Sequence, residues 1–158
     1  MIPKGPIQID ALAFLRENAT AVVATSFEGQ PHASVVYYDV DDDFNLFFLT
    51  KRNTHKNIHT GFDPHVAVVI GFGPERINVQ IRGTARVLLE SEKIDAVAKM
   101  IARYTQLGIT ALPIAYMKEL KGKFTLAMKV VPEELVFMNM ECVRYPRSIA
   151  STFHRFCA

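Results

Sequence analysis

A mainly β fold (α+β), an antiparallel sheet closed on itself with a few helices at its periphery, is what this 158-residue sequence predicts. Three observations carry the prediction. Runs rich in β-branched and aromatic residues, such as Val35-Val36-Tyr37-Tyr38 and Leu46-Phe47-Phe48-Leu49, recur along the chain, as a pleated, half-buried surface favours. Turn-forming clusters, Glu28-Gly29-Gln30-Pro31 and Asp41-Asp42-Asp43, separate them at hairpin spacing. Helical periodicity is confined to a few short segments. Hairpin strands with sparse helices suit a closed antiparallel sheet.

The elements follow in order. Asp10 is placed to cap a helix over 11–17, whose Leu12 and Leu15 make a short apolar face closed by Asn18. A strand is expected from Ala21 to Ser26, then strands at about 32–39 and 46–50. A short helix over 54–60 stops at Gly61. The span 65–72 is almost unbroken apolar sequence, which predicts a strand covered on both faces. Gly73-Pro74-Glu75 turns into a long strand over 76–90, bent near Gly83. From Ser91 a helix buries Ile94, Val97, Ala98, Ile101 and Tyr104. The segment 107–123 carries little signal beyond Pro113, which suits the start of a short helix through Glu119. Two last strands, 124–131 and 135–140, flank a turn at Pro132-Glu133, and the tail 141–158 has no clear period.

Composition narrows the function classes. Hydrophobic residues are 49% and charged ones 22%, as in an ordinary globular domain, and the length suits a single domain over 1–158. With 18 basic against 16 acidic residues the net charge is +2, too small to attract nucleic acid or an anionic membrane. No apolar run approaches a membrane span, and the first residues do not read as a secretory signal. Cys142 and Cys157 lack metal or redox spacing, which predicts reduced thiols in a cytoplasmic protein.

The chemistry concentrates between Gly29 and Phe72. A strand ends there in Thr50-Lys51-Arg52-Asn53-Thr54-His55-Lys56, which sets hydroxyls and cations around the backbone N–H groups of a helix start. That arrangement suits a phosphate, with the Lys56 charge, the Thr54 hydroxyl and the helix dipole acting in one direction. This stretch, with Ala21-Val22-Val23-Ala24-Thr25 before it and Ile77-Asn78-Val79-Gln80-Ile81-Arg82-Gly83-Thr84-Ala85 after it, resembles the flavin-binding split barrels related to pyridoxamine 5′-phosphate oxidase. Residues 9–140 follow the family's order of motifs, leaving 141–158 as a tail.

The resemblance implies an antiparallel split β-barrel that binds FMN between two subunits of a homodimer, with Lys56 on the flavin phosphate. It also implies ring contacts from the backbone at Ser34, Val35, Val36, Tyr37 and Tyr38, with Leu49 and Thr50 on the partner strand. Tyr37 and Tyr38 point to opposite faces, so at most one lies against a ring. Asn78, or Gln80 if the register shifts, matches an amide that reaches the flavin from the neighbouring chain. Two family arginines are missing: Ser34 stands where one contacts the phosphate, and His55 replaces another. Neither supplies bidentate guanidinium pairing, and Lys51 and Arg52 are the nearest compensating cations.

Other constellations are weaker. The 39–45 acidic loop lacks the glycine and closing carboxylate of a calcium loop, since Leu46 and Arg52 occupy those places. His55 and His59, one helical turn apart, lack the glutamate of the zinc-protease pattern and sit beside Lys56, so no metal is expected. No residue stands out as a general acid or base. The tail reproduces poorly the arginine and histidine that hold substrate in the true oxidase, so pyridoxamine 5′-phosphate is not the expected substrate. The expectation is an FMN-dependent oxidoreductase acting on a small organic acceptor. Its alternatives are a deazaflavin F420-dependent reductase and a non-catalytic flavin or haem binder, the last with His154 as an axial ligand.

Overall fold

In a computed structural model the described residues are 5–71, 76–109 and 125–139, with the backbone alone of 153–156. Helix α1 (Pro6–Glu17) leads into β1 (Thr20–Phe27), β2 (Gln30–Val40), β3 (Leu46–Lys51), α2 (His55–Phe62), β4 (His65–Ile70), β5 (Ile77–Val87), α3 (Glu90–Gln106), β6 (Thr125–Asn139) and β7 (Phe153–Phe156). Among the described residues the sheet order is β3-β2-β1-β4-β5-β6-β7, every pairing is antiparallel, and β3 also pairs with β6. That seam, with Leu46 opposite Val130 and Lys51 opposite Thr125, closes six strands into a barrel. The predicted split-barrel class is what the chain forms. No described helix is long and apolar enough to cross a membrane.

Two apolar layers fill the fold. Alternate residues of the strands, among them Val23, Val36, Tyr38, Phe48, Val68, Val79 and Met128, fill the barrel with α1 against one end. Leu49, Leu88 and Ala127 face the other way and pack under Ala96, Met100 and Tyr104 of α3. The Asp41 carboxylate shapes the β2–β3 turn by accepting from the Asp43 and Asn45 amides and from Asn45 Nδ2, so its oxygens are engaged locally.

Several sequence expectations are corrected. Helix α1 begins at Pro6 with Gly5 as its cap and the Gln8 side chain on the Gly5 amide, so Asp10 lies inside the helix. Helix α2 passes through Gly61 and is capped at Asp63. Within one chain strand β4 is covered on one face: Val66, Val68 and Ile70 are buried while Ala67 and Val69 are exposed. Strand β5 ends at Val87, not 90. The two last strands are one, because Pro132 and Glu133 form no turn. Arg82 pairs with Glu134 and Gly83 with Pro132, which leaves Glu133 as the extra residue of a bulge. Proline is tolerated there, and a Cβ on Gly83 would come within 2.2 Å of the Val131 carbonyl oxygen, so glycine is required. The tail contributes β7, paired with β6. The expected helix at 113–119 lies outside the described residues.

Helix α3 turns a different face inward from the one its apolar spacing suggests. Lys93, Ala96, Met100 and Tyr104 are buried, whereas Ile94 is 65% exposed. The Lys93 stem covers apolar surface while its ammonium reaches Glu90 at 3.3 Å. At the helix start, Glu92 accepts from the Leu89 amide at 2.9 Å and from both terminal nitrogens of Arg86, at 3.0 and 2.7 Å. The Arg86 bonds, then the amide, bring its carboxyl down to about 2. A carboxyl depressed in the folded state stabilises above its unfolded value and loses that contribution as pH falls towards its folded value. Urea melts of wild type should therefore lose stability between about pH 4.5 and about pH 2 more steeply than those of Glu92→Gln.

Near its other end α3 presents Arg103. One terminal nitrogen donates to the Tyr38 carbonyl at 2.7 Å and to Asp39 Oδ1 at 3.3 Å. The other donates to the carbonyls of Leu15, Arg16 and Asn18 at 2.7, 3.1 and 2.6 Å. Arg103→Met keeps much of the packing volume but orphans these carbonyls. Chemical denaturation should show a loss of about 3–5 kcal/mol.

Candidate functional site

Strand alternation sorts the predicted residues. On β2, His32, Ser34, Val36 and Tyr38 point one way, and Ala33, Val35 and Tyr37 the other. Tyr38 is wholly buried, with its hydroxyl donating to the Leu15 carbonyl at 2.6 Å and the Arg103 guanidinium 5.0 Å over its ring. Burial pushes its phenol well above the usual tyrosine range. Tyr38 is therefore a core residue, and Tyr37, 40% exposed and edge-on to Tyr104 at 5.9 Å, is the tyrosine left on the outer side. Leu49 belongs to the layer under α3, so only its backbone faces other partners.

The β3–α2 turn differs in detail from its expected form. Thr54 is the N-cap of α2, but its side chain makes no cap bond. Its hydroxyl donates to the Lys51 carbonyl at 2.9 Å and lies 2.7 Å from the Thr50 hydroxyl. With the Thr54 proton on that carbonyl, the shared proton of the pair comes from Thr50, so both hydroxyl protons are held inside the turn. Asn57 fastens the same turn by donating to the Arg52 carbonyl at 2.6 Å. The hydroxyls expected to face an anion thus bond within the turn and stiffen it. Lys56 stands half-buried in the first turn of α2, and burial lowers its ammonium below the usual lysine value.

Beside Lys56 lies a feature that sequence reading missed. His32, from β2, meets His55 and His59, from α2, with ring centroids 4.8 and 6.0 Å away, and the latter two are 5.6 Å apart. His59 is buried, with Nδ1 3.1 Å from the Thr25 hydroxyl and its ring stacked on Phe27 at 5.7 Å. Desolvation, then His55, His59 and Lys56, hold the His32 imidazolium below the usual histidine range. The alternation of β2, which puts His32 on the face of Ser34, was the available signal. Ser34 itself has a buried hydroxyl without a hydrogen-bond partner among the described residues. No group of three histidine, cysteine, aspartate or glutamate side chains among the described residues is placed to hold a metal ion.

Asn78 and Gln80 share one face of β5, with Gln80 Nε2 donating to Asn78 Oδ1 at 3.2 Å. Gln80 stands opposite Val69, which stands opposite Val22, which stands opposite Val35. Three strand spacings, roughly 14 Å, therefore separate Gln80 from Val35 within one chain. Val35, Tyr37 and Val69 are all exposed along this outer face. Lys51 and His55 are exposed, Thr50 is buried and Val36 lies in the barrel core. A cavity of about 220 Å³ under α3, lined by Asp39, Phe47, Glu92, Lys99 and Lys129, includes none of the predicted residues. The His154 backbone pairs opposite Phe137.

Comparison with known proteins agrees with this architecture. The family model described as pyridoxamine 5′-phosphate oxidase matches residues 7–136. This chain belongs to that family. A candidate pyridoxamine 5′-phosphate oxidase of Listeria innocua superposes with a TM-score of 0.65 at 21% identity, covering 84% of this chain and 98% of that one. General stress protein 26 of Bacillus anthracis gives 0.65 at 15% identity, covering 83% and 92%. A haem binding protein of Mycobacterium smegmatis gives 0.73 at 14% identity, covering 99% of this chain and 60% of that one. At such identities the likeness establishes the fold. Comparison with curated protein sequences gives no match.

Proposed function

We propose that this member of the pyridoxamine 5′-phosphate oxidase family is a cytoplasmic FMN-binding oxidoreductase that works as a homodimer on a small organic acceptor other than pyridoxamine 5′-phosphate. The observation that carries the reading is the cationic corner at the start of α2. Lys56 and three clustered imidazoles gather there, and the buried Ser34 hydroxyl, on the β2 face of His32, has no partner among the described residues. An unpaired buried hydroxyl is costly, and a bound acceptor oxygen would relieve it. The donor set therefore fits a phosphate monoester. On this reading Lys56, His55 and Ser34 hold the phosphate, while the backbone of 34–37 and 49–50, with Lys51 at the strand end, borders the ring. FMN, when bound, supplies the electron-transfer chemistry. The chain's own residues bind, orient and shield it.

Lys56→Ala should weaken FMN binding by about 1.5–3 kcal/mol, the contribution of a charge-assisted hydrogen bond, and leave riboflavin nearly unaffected. Fluorescence titration with both flavins reads the difference. Equal losses would remove Lys56 from the phosphate.

Dimer formation is supported by the outer face. Val35 and Val69, exposed on either side of the half-buried Val22, form a cross-strand apolar row continuous with Gln80. A second copy seated there would bring Asn78 and Gln80 to a site they do not reach within their own chain. Light scattering should give twice the chain mass, and Val69→Lys should reduce the mass and weaken flavin binding together. A wild-type monomer that still binds flavin would sink this arrangement.

Haem binding is the second reading. It rests on the likeness to the mycobacterial haem binding protein and on the placement of His154 in a strand at the sheet edge. The absorption spectrum of the purified protein separates flavin bands from a Soret band.

A further inference from the structure

We propose that the phosphomonoester site is proton-coupled: His32 and His55, flanked by His59, take up a proton from solvent when a phosphate dianion binds beside Lys56, adding positive charge to that of the ammonium. The inference rests on the FMN reading above and adds His32 as an affinity-determining residue.

The geometry is the primary argument. Three imidazoles from two elements lie within 4.8–6.0 Å of one another, and Lys56 follows His55 directly on the same helix turn. Without an anion the charged form of His32 is disfavoured, by desolvation first and then by His55, His59 and Lys56. A dianion reverses that balance, because it attracts every imidazolium around it. Among the described residues no carboxylate acts on His32 to offset the change. The field on His32 comes from His55, His59 and Lys56. Asp63, beyond the far end of α2, is engaged by His65 Nδ1 at 2.6 Å, and Glu28 is exposed in the β1–β2 turn. The groups packed against the cluster from β1 are the uncharged Thr25 and Phe27. Lys51 and Arg52, from the β3–α2 turn, add only positive charge. The Thr50 and Thr54 protons are directed into the turn, which leaves the neutralisation to nitrogen donors.

The linkage has a definite sign. A group whose pKa rises on binding makes affinity increase as pH falls between its bound and free values. FMN affinity should tighten by roughly three- to tenfold from about pH 8 to about pH 6, a window in which a phosphomonoester keeps much of its dianionic character. Riboflavin should show no such trend. Calorimetry with FMN in two buffers of different ionisation enthalpy should register proton uptake at about pH 7, where free histidines are mostly neutral. His32→Gln and His55→Asn, singly and together, should flatten the FMN profile while retaining preference for FMN over riboflavin through Lys56. His59 stays in place because its ring packs on Phe27 and bonds Thr25. Thermal melts of the two exposed-side variants verify folding, and the proton count on wild type stands without them. FMN preferred over riboflavin at every pH, with a flat profile and no proton uptake, would overturn this inference alone. Equal binding of the two flavins, or binding of neither, would overturn it together with the FMN reading.

Discussion

The Arg103 guanidinium joins three parts of the molecule that local chemistry would leave separate. Helix α1 ends in carbonyls with no partner further along the helix, and Leu15, Arg16 and Asn18 direct theirs at this one cation. Its second nitrogen takes the Tyr38 carbonyl, which Tyr104 also reaches through its hydroxyl at 2.7 Å. Tyr38 closes the circuit by donating to Leu15. The chain before β1, the middle of the sheet and the long helix are thereby held in one register. Asp39, at 3.3 Å, gives the charge a partner that is itself largely buried. An isolated guanidinium in this setting would be unfavourable, and the ring of carbonyls makes it a hub.

Fixing Tyr38 fixes everything that shares its strand. With period-two alternation, Tyr38 inside means His32 and Ser34 on that same side and Val35 and Tyr37 outside. One strand thus serves the interior corner of the histidine cluster and an exterior apolar row at once. A single-residue slip would exchange the two, placing hydroxyl and imidazole on the outer surface and valine inside. The bulge at Glu133 opposes such slips on the far side of the barrel, because only Gly83 lets the Pro132 backbone approach so closely.

Much of this was legible in the sequence because strand and turn chemistry act locally. The β2–β3 hairpin follows from Asp41 and its neighbours, and the Lys51-to-Lys56 turn from its own side chains. Pro132 misled because proline reads as a break, while tertiary pairing accommodates it at a bulge. The face of α3 misled because a lysine stem can bury as well as an isoleucine, and Arg103 demanded a particular rotation of the helix. The histidine cluster was hidden for a different reason. His32 and His55 are adjacent only once β2, β1 and α2 have packed, and no spacing rule links them. Thr54 looked available for a ligand because its competing acceptor, the Lys51 carbonyl, becomes close only in the folded turn.

Closure of the barrel carries a kinetic consequence. The seam between β3 and β6 joins Leu46 to Val130, segments far apart along the chain. Pairings of this kind lose chain entropy before they stabilise anything, and they slow folding. Helix α2 leaves directly from β3, so Lys56 and His55 acquire fixed positions only once that seam has zipped. A ligand recognising them therefore binds closed barrels and depletes open ones by mass action. Supply of such a ligand during synthesis would then influence how many chains escape misassembly, and the ligand would act on the nascent protein as a latch.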